Sequence, residues 1–374
     1  MRMRIESIAE DTAERLRSYY ESSETVGQSW LLIYVTSTEK EKLPMLIEDL
    51  NQMGVRYVGG IMPGVMDESG FYDTGLIAAT VALESEPLLI PDLSNPKWPV
   101  STALPPMQSV FLMMNGLSSH ATSFLEFVHN SIGNQVSCMG LGCGDLHELE
   151  GETLFDRRGL YKDAAFLLVW RGMLKTGVTH GWKETGETFI ATSVERNRLM
   201  GLNWEPAFDV YRRAVLAAGG PDLNDRPFWD VAKTYPLGMQ KYTKERIVRD
   251  PIAVSGGDLY CVGDIPEHSI LDLMVGDMKE MQEASKAAVR QALAHEGAVV
   301  GSRCLIVDCI SRKMFMGDSF RDEYESILEA CKADWPDGEP LNLFGGLSIG
   351  EIASDGEGYL DFLNKTTVAG VIYE

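Results

Sequence analysis

Residues 136–144 read VSCMGLGCG, an apolar run that takes on glycines at the point where it ends. Residues 58–64, which read VGGIMPG, and residues 343–350, which read LFGGLSIG, repeat this pattern. Each stretch follows an apolar run and a helix-like segment, and each leads to a further apolar strand. Three units of strand, helix, strand, glycine turn and strand predict an α/β protein whose equivalent turns face one another. We therefore expect a pocket where the three turns meet.

The composition describes a folded and strongly acidic chain. Of its 374 residues 45% are hydrophobic, which suffices for a large core and suggests two or three domains. With 33 basic and 55 acidic side chains, the formal net charge is −22 at pH 7. Such a charge repels a phosphate backbone or an anionic bilayer. We expect neither nucleic acid nor a membrane among the partners.

The N-terminal sequence and the cysteines indicate a cytoplasmic protein. The basic start is followed by acidic residues and not by an apolar core, so no signal peptide is predicted. No apolar run approaches the ~20 residues that a membrane span needs. The six cysteines are scattered in a large chain, which favours reduced thiols, and without a clustered histidine set they predict no metal site.

The repeats are expected to form mixed sheets covered by helices, arranged in two lobes. Residues 5–20 carry apolar residues at helical spacing and predict an amphipathic helix. Two hairpins, at residues 188–202 and 247–262, interrupt the repeats, and the proline-containing stretch 219–235 between them is the candidate boundary. The predicted segments are an N-terminal helical region, an N-terminal domain and a C-terminal domain, at residues 1–28, 29–218 and 219–374.

Several side chains are candidates for chemistry. Arg249 interrupts an apolar stretch, and either it pairs at a sheet edge or its guanidinium holds a carboxylate ligand; both interpretations stay open. Cys309 ends an apolar strand three residues before Arg312, but no histidine lies close in sequence, so an inert buried thiol is the stronger interpretation. His180 lies in a polar turn and is either a hydrogen-bonded turn residue or a haem ligand. Residues 140–145 lack the spacing of a dinucleotide-binding loop.

Two groups of motifs resemble those of the FIST family. In the N-terminal half they are GGIMPG at residues 59–64, DTGLIA at 73–78 and HGW at 180–182. In the C-terminal half they are CISR at residues 309–312, GE at 350–351 and NKT at 364–366. The similarity covers nearly the whole chain after about residue 28.

The resemblance implies an intracellular sensory protein that binds a small molecule such as an amino acid or a small carboxylate. Members usually act with histidine kinases, cyclic-dinucleotide enzymes or chemoreceptors, and some bind haem and sense nitric oxide. Because the last strand ends at Tyr373, we expect this chain to signal through a separate protein. The ligand contacts expected at positions that match the family motifs are Gly60, Gly64, Cys138, Asp145, Arg249, Cys309, Arg312, Gly350, Glu351 and Asn364.

The sequence thus favours a ligand-binding protein without catalytic residues, cofactor or metal. In this hypothesis Arg249 or Arg312 holds the carboxylate of the ligand, and Glu351 holds its amino group. One alternative is a haem-binding nitric-oxide sensor with His180 as the axial ligand. The other is a hydrolase or transferase that depends on Cys309, or uses Asp145.

Overall fold

The computed structural model describes residues 2–22, 29–100, 109–241, 246–294, 303–335, 340–354 and 359–373. The helices in these ranges are α1 Thr12–Glu21, α2 Leu43–Gln52, α3 Ala121–Ile132, α4 Ala207–Ala217, α5 Phe228–Ala232, α6 Met278–Leu293, α7 Ile310–Met316 and α8 Phe320–Asp334, with 3-10 turns at Ser37–Lys42 and Gly317–Ser319. None of the helices in the described ranges combines the length and the apolar character that crossing a bilayer requires.

The 26 strands of the described ranges all belong to one of four sheets. In chain order they are β1 Arg2–Ile5, β2 Ser29–Thr36, β3 Tyr57–Met62, β4 Val65–Asp67, β5 Gly70–Tyr72, β6 Leu76–Ala82, β7 Leu88–Ile90, β8 Ser109–Asn115, β9 Ser137–Cys143, β10 Leu154–Asp156, β11 Gly159–Tyr161, β12 Ala165–Val169, β13 Met173–Thr179, β14 Lys183–Glu195, β15 Arg198–Leu202, β16 Glu205–Pro206, β17 Leu237–Met239, β18 Ile247–Arg249, β19 Pro251–Ser255, β20 Asp258–Cys261, β21 Ile270–Val275, β22 Arg303–Cys309, β23 Leu343–Ser348, β24 Glu351–Ser354, β25 Asp361–Leu363 and β26 Thr367–Tyr373.

Three six-stranded sheets are each built around one parallel strand pair, as the repeats predict. The pairs are β2 with β3, β8 with β9, and β22 with β23. The closing strands β6, β12 and β26 lie antiparallel on the other side of β2, β8 and β22. All eight residues of β2 are buried, because a strand inside such a sheet is covered on both faces. The predicted α/β class with mixed sheets is confirmed.

Each repeat completes a sheet of another repeat. The hairpin β4–β5 of the first repeat adds to β23 of the third, where Val65 lies opposite Gly346. The hairpin β10–β11 of the second repeat adds to β3 of the first, and β24–β25 of the third adds to β9 of the second. The exchange forms a closed cycle, which ties the three repeats into one lobe.

The second lobe is an eight-stranded sheet in the order β18-β17-β21-β14-β15-β20-β19, with β16 paired to β15. Both predicted hairpins are present, as β14–β15 and β19–β20. The stretch 247–254, predicted as one strand, is divided at Asp250: β18 pairs with β17, and β19 pairs with β20. The buried carboxylate of Asp250 lies 3.2 Å from Nζ of Lys365, and this ion pair occupies the break.

The N-terminal helix begins later than predicted. Residues 2–5 form β1, which pairs with β6 and places Ile5 opposite Leu76. β6 already pairs with β2 on its other edge, so β1 satisfies the backbone groups of the edge that would otherwise be open. Ile5 therefore enters the core from a strand and not from a helix.

Candidate functional site

The three glycine turns meet, as the repeats predict. Main-chain hydrogen bonds join each turn to the others. These bonds run from Gly144 N to the Ile61 carbonyl (2.8 Å), from Leu347 N to the Gly64 carbonyl (2.9 Å) and from Ile349 N to the Gly142 carbonyl (2.8 Å).

The meeting point is filled. A Cβ on Gly60 would lie 2.4 Å from Sγ of Cys143, and a Cβ on Gly142 would lie 2.1 Å from the carbonyl oxygen of Ile349. The prediction of a pocket between the turns is therefore wrong, because the chains approach so closely that only glycine fits. Gly60, and Gly64 in the same turn, shape the core and do not face a ligand.

Glu351, in the Gly-Glu motif, is buried in the same interior. Its Oε1 accepts a hydrogen bond from the hydroxyl of Ser348, and its Oε2 accepts one from the N–H of Thr366 at 3.1 Å. Burial raises the pKa of the Glu351 carboxyl to about 8, although these hydrogen bonds act to lower it. A carboxyl enclosed in this way offers no surface to the amino group of a ligand. Gly350 beside it leaves room for the ring of Phe362, 2.2 Å from where a Cβ would lie.

Cys309 is an enclosed thiol. It is 2% exposed, and burial, with the nearby Glu351 carboxylate, raises the pKa of the thiol well above its ordinary value. Since the thiolate is the nucleophilic form, a thiol that stays protonated is a poor candidate for catalysis. The geometry therefore supports the inert interpretation of this cysteine.

Arg312 is enclosed and fully hydrogen-bonded. Its side chain has no exposed surface; Nε lies 3.3 Å from Oδ1 of Asp308, and Nη2 pairs with Glu323. Further bonds run to the carbonyl oxygens of Lys365 at 3.0 Å, Met281 at 3.1 Å and His180. All five N–H donors are used by the protein. Arg312 is left without a donor for a ligand carboxylate, so we do not include it in the candidate site.

Asn364 and Lys365 join the closing motif to the second lobe. Nδ2 of Asn364 donates to the carbonyls of Val248 at 3.4 Å and Val262 at 3.2 Å. Lys365 and Asp250 form the ion pair at the break between β18 and β19, and neither side chain has exposed surface. Sequence reasoning missed this pair, although charged residues inside apolar stretches were the available signal.

Cys138 and Asp145 have structural partners of their own. Cys138 is 1% exposed inside β9, and burial raises the pKa of its thiol to about 12. Oδ2 of Asp145 lies 3.0 Å from Nζ of Lys40, and Oδ1 accepts from the N–H of His147 at 2.9 Å. Although partial burial acts to raise the pKa of Asp145, these two bonds lower it, so this carboxylate is a weak base.

A cleft of about 610 Å³ opens at the second lobe. Its walls are α3, the eight-stranded sheet and residues 359–362 at the end of the exchanged hairpin. Four carboxylates, three cations and one histidine lie along it. They are Glu126, Asp264, Glu267, Asp361, Arg196, Lys241, Arg249 and His129. The whole chain has a net charge of −22, so a cleft with nearly equal numbers of acidic and basic side chains differs from the rest of the protein.

Arg249 forms part of the cleft wall and keeps one amino group unused. It is 4% exposed; its Nε donates to the carbonyl of Asp264 at 2.9 Å, and its Nη1 donates to those of Phe362 at 3.1 Å and Val248 at 3.2 Å. Gly263 packs on the guanidinium, since a Cβ there would lie 3.2 Å from Cζ. Among the residues described, none accepts a hydrogen bond from Nη2. Burial lowers the pKa of Arg249, but it remains a cation at neutral pH because arginine starts so high.

Aromatic and acidic side chains also line the cleft. Asp361 pairs with Nζ of Lys241, which also lies 5.5 Å from the ring centroid of Tyr359. The rings of His129 and Tyr359 are 5.3 Å apart, and Tyr359 is 66% exposed. Sequence reasoning missed this part of the cleft, because the sequence analysis assigned no function to residues 121–132. The polar face with Glu126 and His129 was the signal available.

The surroundings of His180 do not fit haem. Its Nδ1 accepts a hydrogen bond from the main-chain N–H of Trp182 at 2.9 Å. Burial, followed by the charges of Arg312 and Arg246, lowers the pKa of His180 to about 4, so the ring is neutral at pH 7. With Nδ1 accepting, the one ring proton lies on Nε2, the nitrogen that would have to bind iron. His180 is a turn residue in this structure, and we do not assign it to haem.

Two family models match the chain. A FIST N domain matches residues 30–205, and a FIST C domain matches residues 207–354. FIST domains are sensory domains of signal-transduction proteins. No curated protein matches the chain. The cleft lining takes residues 122, 123, 125, 126, 129, 130, 194 and 196 from the first range and residues 239, 241, 249 and 264–267 from the second, so it lies where the two domains adjoin.

Proposed function

The chain belongs to the FIST family, and from that premise we propose that it senses an amino acid or small carboxylate, bound in the cleft at Arg249. Binding occurs without turnover, and the bound state is read by a separate protein. Most motif residues lie in the interior of the protein and stabilise the fold. This supports a ligand site in the cleft and not among the motif residues.

The observation that carries the proposal is the unused Nη2 of Arg249. Three hydrogen bonds fix the guanidinium, so no rotamer freedom is lost when a ligand binds. A ligand carboxylate would give Nη2 a charge-assisted hydrogen bond, which is stronger than a hydrogen bond between neutral groups. The volume of about 610 Å³ lies in the range of small-molecule sites.

The carboxylates of the cleft favour a ligand that carries an amino group in addition to its carboxylate. Asp264 and Asp361 lie near enough to Arg249 to act on its pKa, so a cationic group beside the bound carboxylate meets opposite charge. A zwitterion satisfies both signs at once. We include cytoplasmic location in the proposal, which the six free, buried cysteines support.

Arg249→Met removes the guanidinium and keeps most of the volume. After a thermal-shift screen of amino acids and small carboxylates, calorimetry with the hits should show at least about a tenfold loss of affinity in this variant. Arg171→Gln, which removes an exposed arginine outside the cleft lining, is the matched control and should bind as the wild type does.

If Arg249→Met unfolds at a lower temperature than the wild type, the variant Asp361→Asn tests ligand binding in the cleft independently. It should weaken binding of an amino acid but not of the analogue that lacks the amine. Equal affinities of the wild type and Arg249→Met would remove the cleft from the sensory function.

The proposal includes a partner protein that recognises the ligand-bound state of this chain. The partners that the family resemblance implies are a histidine kinase, a cyclic-dinucleotide enzyme or a chemoreceptor. A ligand can only shift an equilibrium for which it has differential affinity, so the partner must contact a part of the chain that the cleft influences.

A further inference from the structure

A hairpin turn of the second lobe presents a tryptophan in an unusual conformation. Strand β15 ends at Leu202, which lies opposite Glu205 of β16, so the connection consists of Asn203 and Trp204 alone. Both have positive φ, 51° and 63° respectively. This is the signature of the tight hairpin turn that prefers asparagine first and glycine second. A tryptophan in the second place is strained, and it is 80% exposed.

The main chain of this turn is fixed from both sides. Oδ1 of Asn203 accepts a hydrogen bond from Ile190 N at 2.8 Å, and Asn203 N donates to the Ile190 carbonyl at 2.9 Å. Trp204 N donates to Oγ1 of Thr192 at 3.0 Å. The exposed indole therefore stands on a rigid base, which lowers the entropy cost of using it as an anchor.

Two exposed isoleucines belong to the same part of the sheet. Ile190 and Ile270 are cross-strand partners of β14 and β21, 37% and 43% exposed. We call Ile190, Trp204 and Ile270 the Trp204 patch. Exposed carboxylates neighbour each member in the chain. These are Glu187, Glu205, which pairs with Arg213 at 2.8 Å, and Glu267.

We propose that the Trp204 patch docks a partner protein that offers an apolar recess bordered by lysine and arginine. Tryptophan is enriched among the residues that dominate binding energy at interfaces, and acidic rims select basic partners. A second copy of this chain is disfavoured, because two chains of charge −22 repel each other.

The patch is connected to the cleft. Residues 264–267 line the cleft, and β21 starts three residues later at Ile270. Between them His268 N donates to the Ala191 carbonyl at 2.7 Å, and Ala191 N donates to the Ser269 carbonyl at 2.9 Å. A shift of this segment on ligand binding reaches the patch through the main chain. Only this link to a ligand rests on the proposed sensory function; docking at the patch stands without it.

The test uses the full chain without ligand. The probe is a fluorescein-labelled amphipathic peptide of roughly 14 leucine and lysine residues, with binding followed by anisotropy. Trp204→Gly should weaken binding at least about tenfold and should melt at or above the wild-type temperature, since glycine tolerates positive φ. Leu149→Ser, which removes an exposed leucine elsewhere, should leave the affinity unchanged. A leucine and glutamate peptide of the same pattern should not bind.

The outcomes separate the alternatives. Loss of affinity in Trp204→Gly but not in Leu149→Ser supports the proposal. Trp204→Asn must show the same loss, because asparagine also tolerates positive φ. Equal affinities for the wild type, Trp204→Gly and Leu149→Ser overturn it. Self-association of the wild type in sedimentation velocity that disappears in Trp204→Gly also overturns it, in favour of a second copy. Because no ligand is added, failure of the Arg249 experiment does not affect this result.

Discussion

Two arginines show how the surroundings of a residue decide its role. Arg249 and Arg312 both interrupt apolar sequence, and both are buried. Arg312 uses all its donors on two carboxylates, several carbonyls and a hydroxyl. Arg249 lines the cleft and donates to three carbonyls, and no described residue accepts a hydrogen bond from its Nη2. Sequence reasoning proposed either one for a ligand carboxylate. Only the count of hydrogen-bond partners separates them, and partners far apart in the chain cannot be read from spacing.

The buried carboxyl of Glu351 should make stability depend on pH. Its pKa in the folded state is about 8, above the ordinary value of 4.5, because burial disfavours the charged form. The folded protein thus holds the proton more tightly than the unfolded chain does. The resulting stabilisation is present in full below about pH 4.5 and is lost as the pH rises through 8.

Glu351→Gln removes this titration and keeps the shape of the side chain. Between pH 5 and 8, the free energy of unfolding of the wild type should fall relative to that of the variant, by up to about 1.4 kcal/mol per pH unit. Urea unfolding at several pH values measures the difference. Parallel profiles for the two proteins would show that Glu351 titrates normally.

At the scale of elements, local pattern predicted most of the repeats. The apolar face of α3, with Phe124, Leu125 and Val128 buried, was readable because helical periodicity is local. The partner of Asp250 could not be identified from the local pattern, because Lys365 lies 115 positions away in the chain. The strand β1 was missed for the same reason, since its partner β6 is remote.

The exchanged hairpin β24–β25 depends on a glycine at its start. Gly350 has φ +96°, and a Cβ there would lie 2.2 Å from the ring of Phe362. Gly350→Ala should therefore cost about 2 to 3 kcal/mol of stability, through backbone strain and displacement of the ring. It should also weaken ligand binding, because the Phe362 carbonyl holds Arg249. Thermal unfolding and calorimetry measure the two effects.

Gly133→Ala is the control for strain alone. Gly133 has φ +82° after α3, and nothing lies within 4 Å of where a Cβ would be. Its substitution should cost about 1 kcal/mol. If both alanine variants lose the same stability, the ring of Phe362 does not depend on Gly350.

At the scale of the whole molecule, the cyclic exchange of hairpins brings distant motifs together. The third repeat reaches the second through β24–β25, which carries Asp361 and Phe362 to the cleft beside Arg249 of the other lobe. The sequence indicated three repeats and a second lobe, yet it could not indicate which repeat receives which hairpin. That choice is set by non-local pairing, as is the filling of the glycine junction where we expected the pocket.

The central claim is that the ligand binds at Arg249 and not between the glycine turns. A crystal structure with the compound that raises the melting temperature most tests it directly. We expect the ligand carboxylate about 3 Å from Nη2 of Arg249, with Tyr359 and Asp361 in contact with the ligand. A ligand bound at the meeting point of Gly60, Gly142 and Gly350, or anywhere without a bond to Arg249, would contradict it.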